Sequence, residues 1–596
     1  MKSMSRVLQS AIALVVLQLV VRGVVAGHSD FYWDDLILAS RGSELPLLST
    51  DLLLYDHDGH FMPAAFVVAG LATRIAPYEW ALPLIMSVVM QALASLAMLR
   101  LLRTLLGDRR VLLIPLTFYL FTPLTVPAFA WWSANLNALP LQIGLAWVTA
   151  DALALRRTGR IRYAVSGAVV FAVALLFAEK AVLVPFVAFA TVFLLSRISG
   201  NRAPLRSAWR RGRGLWTASI AIIAVWALAY TTTITTDFVW AGGGRAWELL
   251  SHSTSLGLLP TLLGGPWVWE RWIPSPPWAS PPAILVVAAW VVAVVGIAAT
   301  IRWKRRVGWV WIAVGAYFLA SVAAMVVSRW GADTTYELAQ TLRYFTDTAS
   351  VITIAMALVL RAPKRSTAGP PSKGPADRIS ASRTGAIAVI ATVAFAISSL
   401  WSTYTYTRSW ADNPTTAYLS TARESLAEYD DVPLLEQPTS IWVLLPVAFP
   451  NNLISRVLAP LEDRPEFSDS TPELRMLDDS GKLVDADVTW VRTIPKGQTP
   501  NCGNQVDGPG FTNIPLDGPL TVWEWTVQLN YLASQDGEIQ VGLETGDTVK
   551  VPVQAGANEV YVRITGGGEQ VRIKPLTPGL AVCVGMGPVG VVVPEQ

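Results

Sequence analysis

Acidic residues, histidines and aromatic residues are concentrated in two short stretches near the start of the chain. The first stretch runs from His28 to Asp35 and ends in two adjacent acids, Asp34 and Asp35. Adjacent side chains do not point the same way on a helix or a strand, so one acid can face a substrate while the other caps a helix. A carboxylate that aromatic neighbours partly desolvate is a stronger base and can deprotonate a hydroxyl. Asp34 and Asp35 are therefore the candidate catalytic pair, and helix capping is the alternative for either.

The second stretch is Asp56-His57-Asp58-Gly59-His60, whose side chains are of types that bind metals. A Zn²⁺ site built from this stretch would need one more ligand and a turn that folds the ligands inward. We expect no metal site and no required cofactor, and binding of a divalent cation by this stretch stays an open alternative. His57 and His60 are expected to bind a phosphate or a donor sugar, and Asp58 to contact a sugar. A solvated turn is the alternative.

Two charged pairs interrupt apolar runs later in the chain. Glu179-Lys180 lies between two apolar segments, and Arg343-Tyr344 begins another. Charged side chains next to apolar membrane segments are energetically costly unless they bind a ligand or a partner. Lys and Arg form charge-assisted hydrogen bonds with phosphate. We therefore expect these four residues to bind a lipid phosphate. The alternatives are an ion pair at a helix hairpin for the first pair, and an arginine that extends to the membrane interface for the second.

The pair Trp131-Trp132 offers aromatic faces on which a sugar can stack, or it belongs to the aromatic belt at a membrane interface. The chain has 25 Trp among 596 residues, which suits either use. The sequence contains no Walker loop, no G-x-S-x-G and no H-E-x-x-H motif. It therefore gives no sign of a cytoplasmic nucleotide site, and we expect no nucleic-acid partner.

The elements that must position these residues are membrane helices. Hydrophobic residues make up 53% of the chain and charged residues 15%, against roughly 25% charged residues in an average soluble domain. This composition excludes an ordinary cytosolic enzyme and a disordered chain. A spanning helix needs about 20 mainly apolar residues. Eleven segments are candidate spans: 7–26, 80–105, 111–127, 134–155, 162–178, 181–196, 215–236, 282–301, 308–328, 345–360 and 384–403. Segment 61–76 is short and apolar, and we expect a helix in the membrane interface there.

The distribution of basic residues predicts the orientation of these helices. Residues 1–405 hold 34 Lys and Arg, and 26 of them fall on one side of the membrane if the N-terminus is cytoplasmic. This bias obeys the positive-inside rule and places the C-terminus outside. The four histidines and the first loop, residues 27–79, also fall outside, so chemistry is expected at the outer face of the plasma membrane. The first span is expected to be an uncleaved anchor, and a secretory signal is the alternative.

Residues 406–596 form a different, acidic domain, with 25 Asp and Glu against 12 Lys and Arg. After a predicted helix over 415–430, apolar residues alternate with period two between turn signals, which predicts an extracytoplasmic all-β sandwich or jelly roll. The predicted inward-facing residues are Ile539, Val541, Leu543, Val549, Val551, Val553, Val560, Val562, Ile564, Val571 and Ile573. Cys502 and Cys583 both lie in this domain. Outside the membrane a disulfide between them is expected, and two buried thiols are the alternative.

The plan of residues 1–405 resembles the GT-C superfamily of integral-membrane glycosyltransferases. The likeness rests on a first span, a loop with the acidic pair Asp34-Asp35 and the turn His60–Pro63, and then many spans. Motif-level matches are confined to this loop, Glu179-Lys180 and Arg343-Tyr344. The β domain after the last span is similar to the carbohydrate-binding modules of actinobacterial cell-wall arabinofuranosyltransferases, and mannosyltransferases of the same plan fit as well.

The resemblance implies a sugar donor on a polyprenyl phosphate and a glycan hydroxyl outside the membrane as the acceptor, with no cofactor required. Asp34 or, as the second choice, Asp35 would be the general base in one inverting displacement. Glu179, Lys180 and Arg343 would hold the leaving phosphate while its charge develops. His57 and His60 would orient the donor.

Two other functions stay open at this point. One is a transporter or flippase for lipid-linked glycans, and the other is a non-catalytic assembly protein that binds wall glycan through the β domain. A transporter needs polar residues along its path through the bilayer. Asp151 and Gln91 are the best candidates for such residues.

Overall fold

The chain divides into two compact units, Met1–Asn413 and Pro414–Gln596. The computed structural model describes residues 5–595 apart from 236–242, 329–334, 366–374, 428, 430 and 431. The division lies eight residues beyond the predicted boundary at 405/406, because the last helix of the first unit continues to Trp410. Residue 236 of the predicted span 215–236 lies outside the described residues.

The first unit is helical. Its helices are α1 Arg6–Gly27, α2 Asp34–Glu44, α3 Thr50–Leu53, α4 Pro63–Ile75, α5 Ala81–Leu106, α6 Leu113–Phe121, α7 Val126–Ala130, α8 Trp132–Thr158, α9 Arg162–Phe177, α10 Val184–Ile198, α11 Pro204–Thr233, α12 Gly243–His252, α13 Leu259–Thr261, α14 Ala283–Trp303, α15 Gly308–Ser328, α16 Thr335–Gln340, α17 Thr346–Arg361 and α18 Pro375–Trp410. Short 3₁₀ segments cover Arg110–Leu112, Pro123–Thr125, Glu179–Leu183 and Arg343–Phe345. Two two-residue strands, β1 Trp269–Glu270 and β2 Trp278–Ala279, pair with each other.

The helices agree with the predicted spans. Within the described ranges, nine helices are long and apolar enough to cross a membrane, and the bent pair Arg110–Phe121 and Pro123–Ala130 would make a tenth. The remaining predicted span is the short helix α9. The first unit is therefore a multi-pass membrane domain. Helix α8 is central, since 89% of the residues in its most apolar stretch are buried inside the domain. In α14 only 6% of the residues in the corresponding stretch are buried.

The long loop between α1 and α5 folds into three helices, α2, α3 and α4, instead of lying open. Helix α4 coincides with the segment predicted to lie in the membrane interface. It begins at Pro63, and the missing N–H of proline costs nothing there because the first N–H of a helix has no partner within the helix. Helices α2 and α4 cross at two glycines, and a Cβ on Gly42 would lie only 2.4 Å from the Cα of Gly70. This close crossing holds the later part of α2 against α4, and the acidic pair lies at the other end of α2.

The second unit begins with helix α19, Pro414–Leu426, close to the predicted helix 415–430. A short helix, α20 Ile454–Val457, and fourteen strands follow: β3 Leu434–Leu435, β4 Phe467–Ser468, β5 Ser470–Thr471, β6 Arg475–Leu477, β7 Leu483–Val488, β8 Arg492–Ile494, β9 Asn504–Val506, β10 Thr512–Ala533, β11 Gly537–Gly546, β12 Thr548–Val553, β13 Gly556–Pro575, β14 Val582–Val584, β15 Gly587–Gly590 and β16 Val592–Pro594. Nine of these strands form one antiparallel sheet with the central order β12-β11-β13-β10-β14-β9.

This sheet encloses its own core. Ile514 and Val527, from opposite halves of the long strand β10, belong to the same buried cluster, so the sheet folds over itself as a sandwich does. The predicted inward-facing residues are buried in this cluster, with Val549 partly buried against it. Cys502 and Cys583 form a disulfide, as expected from the sequence.

Candidate active site

The structure separates the two acids at the start of α2. The carboxylate of Asp35 is buried and accepts the backbone N–H groups of Tyr32 at 3.0 Å and of Ser133 at 2.7 Å. It therefore has a structural role and ties the turn before α2 to the start of α8, although neither acid is the N-cap residue, which is Trp33. Burial raises the pKa of the Asp35 carboxyl well above its usual range, while the two N–H donors act in the opposite direction.

Asp34, by contrast, faces a cavity of about 130 Å³ in the first unit, and its side chain is 26% exposed. The cavity brings together most of the predicted site residues, although they come from the first loop, the residue before α8 and the 3₁₀ segments Glu179–Leu183 and Arg343–Phe345. Its lining comprises Asp34, His57, His60, Met62, Trp131, Ser133, Ala134, Asn137, Ala138, Leu141, Ala178, Glu179, Lys180, Arg343, Tyr344, Thr346 and Asp347.

A tight turn presents the two histidines to this cavity. Asp58 and Gly59 have φ angles of 51° and 82°, the left-handed conformation that a two-residue hairpin turn requires. His57 and His60 pair across the turn, with the His60 N–H donating to the His57 carbonyl at 2.9 Å. The His57 Nε2 atom lies 3.7 Å from Asp34 Oδ1, and the His60 Nδ1 atom lies 2.9 Å from Glu179 Oε1. Each histidine thus contacts a different carboxylate.

The turn itself is held by neighbouring backbone and by α11. An oxygen of Asp56 accepts the N–H of Gly59 at 2.8 Å, and its other oxygen accepts the N–H of Thr235 at 3.1 Å. The hydroxyl of Tyr230 donates to the Gly59 carbonyl at 3.3 Å. No group of three or more His, Cys, Asp or Glu side chains in the described part of the chain is arranged to hold a metal ion.

Lys180 forms the most enclosed ion pair of the cavity. Its Nζ donates to Asp347 Oδ1 at 2.8 Å and to the Tyr344 carbonyl at 2.8 Å. The hydroxyl of Tyr317 donates to the other oxygen of Asp347, whose side chain is only 2% exposed. Glu179 and Lys180 therefore do not pair with each other, as the hairpin alternative would require. The 3₁₀ segment directs Glu179 to His60 and Lys180 to α17.

Arg343 is held by aromatic rings. Its guanidinium carbon lies 4.2 Å from the centre of the Trp131 ring, and its NH2 group donates to the Tyr344 hydroxyl at 2.8 Å. Cation–π contacts of this kind are strongest where water is excluded. The arginine lines the cavity and does not extend away from it to an interface. Trp131 lines the cavity, is almost fully buried and has its ring against the Arg343 cation, and a sugar contact of this ring stays a prediction.

Two other predicted sugar contacts lie outside the cavity lining. Trp132 is buried in a separate apolar cluster with residues such as Phe66 and Leu136, because α8 begins there and turns this ring toward α4. Asp58 occupies the exposed tip of the histidine turn. The structure therefore does not bring either side chain into the lining of this cavity, and a sugar contact of Trp132 or Asp58 stays a prediction.

Four cavity-lining residues carry buried polar atoms without a hydrogen-bond partner among the described residues. These atoms are the Trp131 indole nitrogen, the Ser133 hydroxyl oxygen, the Asn137 carbonyl oxygen and one terminal nitrogen of Arg343. Buried polar atoms are nearly always paired in proteins, either with protein groups, with water or with a ligand. The cavity is thus built for a polar occupant with both acceptors and donors.

Two residues that complete the site, Asp347 and Tyr317, are not among those predicted from the sequence. An acid inside an apolar span is costly and marks a functional position by default, so Asp347 within the predicted span 345–360 carried a usable signal. Tyr317 carried none, because tyrosine is common in membrane helices. Asn137 and Ser133 also line the cavity, and their spacing of four residues on α8 places them on one helix face.

An apolar groove of about 300 Å³ lies next to the polar cavity, between α10, α15 and α17. Its lining is almost entirely aliphatic: Leu183, Phe186, Val187, Ala190, Thr191, Leu194, Val310, Ala313, Val314, Ala316, Tyr317, Ala320, Val351, Ile354, Ala355 and Leu358. Tyr317 lines this groove and donates its hydroxyl proton to Asp347, which lines the cavity. The polar and apolar sites therefore share a wall.

Comparison with family models gives no match, and comparison with curated proteins gives none either. Among solved structures, the chain is similar to ArnT from Cupriavidus metallidurans in the apo state, at 13% identity and a TM-score of 0.38, over 72% of this chain and 82% of ArnT. It is similar to the arabinofuranosyltransferase AftD from Mycobacteria at 12% identity and a TM-score of 0.39, over 99% of this chain and 62% of AftD. It is similar to the arabinosyltransferase EmbB from Mycobacterium smegmatis at 12% identity and a TM-score of 0.27, over 100% of this chain and 66% of EmbB.

This chain therefore spans less than two thirds of the length of AftD and of EmbB. Because the identities and TM-scores are low, these likenesses carry no inference about the site residues or the reaction of this chain.

Proposed function

We propose that this protein transfers a sugar from a polyprenyl-phosphate carrier to a hydroxyl of a glycan outside the membrane. The observation that carries the proposal is the pairing of one cavity with one groove. The cavity holds a carboxylate, Asp34, and two cations, Lys180 and Arg343. The adjoining apolar groove suits an isoprenoid chain, and the hydrogen bond from Tyr317 of the groove to Asp347 of the cavity links the two sites. A sugar lipid has the same three parts: a sugar, a phosphate and a long apolar chain.

The proposed reaction is one inverting displacement. Asp34 takes the proton of the acceptor hydroxyl, whose oxygen forms a bond to the anomeric carbon of the donor sugar. The bond from that carbon to the phosphate oxygen breaks, and the polyprenyl phosphate leaves with the electron pair. Lys180 and Arg343 stabilise the negative charge that grows on the phosphate. No metal or other cofactor takes part in this scheme.

Asp34 is the proposed base because it is the acid of the pair that can reach a substrate. It lines the cavity, whereas both oxygens of Asp35 are engaged by backbone N–H groups. His57 lies beside Asp34 and is proposed to orient its carboxylate. His60 and Glu179 form a second pair, proposed to position the donor phosphate and the segment that carries Lys180.

The location and partners follow from the sequence. The excess of Lys and Arg on one set of loops supports a cytoplasmic N-terminus in the plasma membrane, with the cavity outside. The resemblance to cell-wall arabinofuranosyltransferases supports arabinofuranose as the first sugar to test and mannose as the second. The same resemblance supports glycan binding by the C-terminal unit, which would act as a carbohydrate-binding module.

The transporter alternative gains no support from the residues that suggested it. Asp151 pairs with Arg100, and the side-chain amide of Gln91 donates to the Ser95 hydroxyl, which in turn donates to Gln18. Neither Asp151 nor Gln91 lines the cavity or the groove. These residues hold helices together and do not mark a path for a glycan.

The test is sugar transfer by the purified full chain. Labelled polyprenyl-phosphate arabinose, mannose, glucose and galactose are each offered with wall-glycan fragments. Wild type is compared with Asp34→Asn and with Asp51→Asn, a control acid of the same loop that is exposed and does not line the cavity. Transfer from one donor that Asp34→Asn loses and Asp51→Asn keeps is the expected result. No transfer from any donor by a folded protein that binds the carrier lipid would contradict the proposal.

A further inference from the structure

A loop of the C-terminal unit exposes a group of large apolar side chains. We call residues 438–453 the apolar loop. Ile441, Trp442, Val447 and Phe449 are 48%, 45%, 82% and 65% exposed. No charged residue lies between Glu436 and Arg456, and residues 441–450 contain no polar residue apart from the indole N–H of the tryptophan. Exposed apolar side chains that cluster in this way mark a binding surface.

The apolar loop has a fixed backbone. Pro438 and Leu453 form a bridge at its base, where the Thr439 N–H donates to the Asn452 carbonyl at 2.7 Å. Val443 and Leu444 in its middle are buried. The exposed side chains are therefore held outward by a structured turn, with the two buried residues as its anchor.

The base of the apolar loop is built onto the first element of the unit. Ile454, the residue that follows the loop, packs in one buried cluster with Ala422 and Leu426 of α19. Helix α19 begins at Pro414, four residues after the end of α18, the last apolar helix of the membrane domain. A helix of 13 residues is about 20 Å long, so the loop base lies within that distance of the attachment point along the helix.

The end of α18 marks where the membrane surface lies on the chain. Trp401 and Tyr404 near this end are about half exposed, and such residues are enriched at membrane interfaces. The unit is thus attached about ten residues beyond an interface. The bilayer that α18 crosses is therefore an apolar surface to which the C-terminal unit is covalently tethered.

We propose that the apolar loop inserts into the interface of the bilayer that the same chain spans, with Trp442, Val447 and Phe449 as anchors. Interfacial segments place Trp, Phe and aliphatic side chains into the boundary between headgroups and acyl chains. The unit as a whole is acidic, and anionic lipids would repel it, whereas a loop without charge meets no such repulsion. A sugar-binding surface would need polar side chains beside the ring, and residues 441–450, which carry the exposed apolar side chains, supply none.

The inference does not depend on the proposed sugar transfer. Its consequence is a second attachment of the C-terminal unit to the membrane, in addition to the covalent link through α18. The two attachments together restrict how the unit can rotate about Asn413.

The test uses a single introduced thiol. The two native cysteines form a disulfide, so Val447→Cys provides the one free thiol of the chain. The full chain is labelled there with the fluorophore NBD and placed in nanodiscs of phosphatidylcholine and phosphatidylglycerol, with and without a nitroxide high on the acyl chain. Val522→Cys in β10 is the matched control, since Val522 is another valine of the same unit and is 73% exposed.

We expect a blue shift on transfer from detergent to nanodiscs and quenching by the nitroxide lipid for the label at 447, and neither effect at 522. Ile441→Cys serves as a second position on the loop if the first variant is poorly folded. Unquenched labels at both loop positions would overturn the proposal. Quenching at 522 with none at 447 would overturn it as well, since another face of the unit would then contact the lipid. A shift at 447 that needs added glycan instead of lipid would identify the loop as a sugar-binding surface.

Discussion

Asp34→Asn and Asp35→Asn are expected to fail in different ways, although the two residues are neighbours. Asp34 lines the cavity and Asp35 does not. A positioned general base contributes about 10²- to 10⁴-fold to the rate. Loss of this contribution in Asp34→Asn corresponds to about 2.7 to 5.4 kcal/mol of transition-state stabilisation, at about 1.36 kcal/mol for each factor of ten.

The fold is expected to tolerate Asp34→Asn. Asp34 is the first residue of α2, and the loss of a negative charge in the first turn of a helix costs only about 0.3 to 1 kcal/mol. Asp35→Asn is different, because an amide offers one acceptor oxygen in place of two. Either the Tyr32 N–H or the Ser133 N–H would then face an NH₂ group, and one unpaired buried donor costs about 1 to 3 kcal/mol.

The assay pairs turnover with stability. Transfer is measured at saturating donor and acceptor, and the thermal unfolding of each purified variant is measured in the same detergent. We expect Asp34→Asn to be inactive at nearly wild-type stability, and Asp35→Asn to be less stable, with activity in proportion to its folded fraction. Turnover by Asp34→Asn within a factor of about ten of wild type would refute the assignment. A loss of rate that small is less than the smallest contribution of a general base, which is about 10²-fold.

Three further predictions concern the cations and the disulfide. Lys180→Gln is expected to lower kcat by about 10²- to 10³-fold, as the loss of one charge-stabilising donor does, with a smaller change in the KM for the donor. Arg343→Ala is expected to raise the KM for the donor and leave that for the acceptor unchanged, and an unchanged donor KM would count against phosphate binding by Arg343. Replacement of Cys502 and Cys583 by serine is expected to lower the free energy of unfolding of the C-terminal unit by about 4.5 kcal/mol in the chain-entropy model, given their separation of 81 residues. Equal thermal stability of the serine variant and the oxidised wild type would contradict this estimate.

The spans could be predicted from the sequence because hydropathy is a local property. Each of the eleven predicted segments contains or overlaps a helix of the described structure. The end of the membrane domain was harder to predict. Helix α18 continues from its apolar part into Tyr406 and Trp410, which are buried among other aromatic rings, and this continuation depends on tertiary packing.

Most of the cavity-lining polar residues that the site uses could also be predicted, because charged residues next to apolar runs are costly and have few other uses. Their individual tasks could not be predicted. The choice between Asp34 and Asp35 depends on an N–H of Ser133, which lies 98 positions away in the sequence. The task of Trp131 could not be predicted from the sequence either. Its ring is covered by Arg343 from a distant segment, and only the fold brings this cation onto the ring.

Lys180 and Arg343, the two cations of the cavity, differ in whether a carboxylate of the protein already pairs with them. This difference assigns them to different stages of the proposed reaction. Lys180 is paired with the buried Asp347, whereas no carboxylate within the described ranges pairs with Arg343. A polyprenyl-phosphate sugar is a phosphodiester with one negative charge, so Arg343 can bind it without displacing an internal ion. The departing polyprenyl phosphate is a monoester, whose charge at neutral pH is about −1.5 to −2.

The charge that appears during the reaction therefore exceeds the charge present when the donor binds. Only an interaction that strengthens in the transition state raises kcat. Asp347 and the Tyr344 carbonyl hold the Lys180 ammonium in place before the donor arrives, so its response to the new charge needs no rearrangement. Arg343 should thus govern donor KM and Lys180 should govern kcat. The reverse pattern in the two variants would show that the leaving phosphate lies against Arg343 and that Lys180 has a structural role with Asp347.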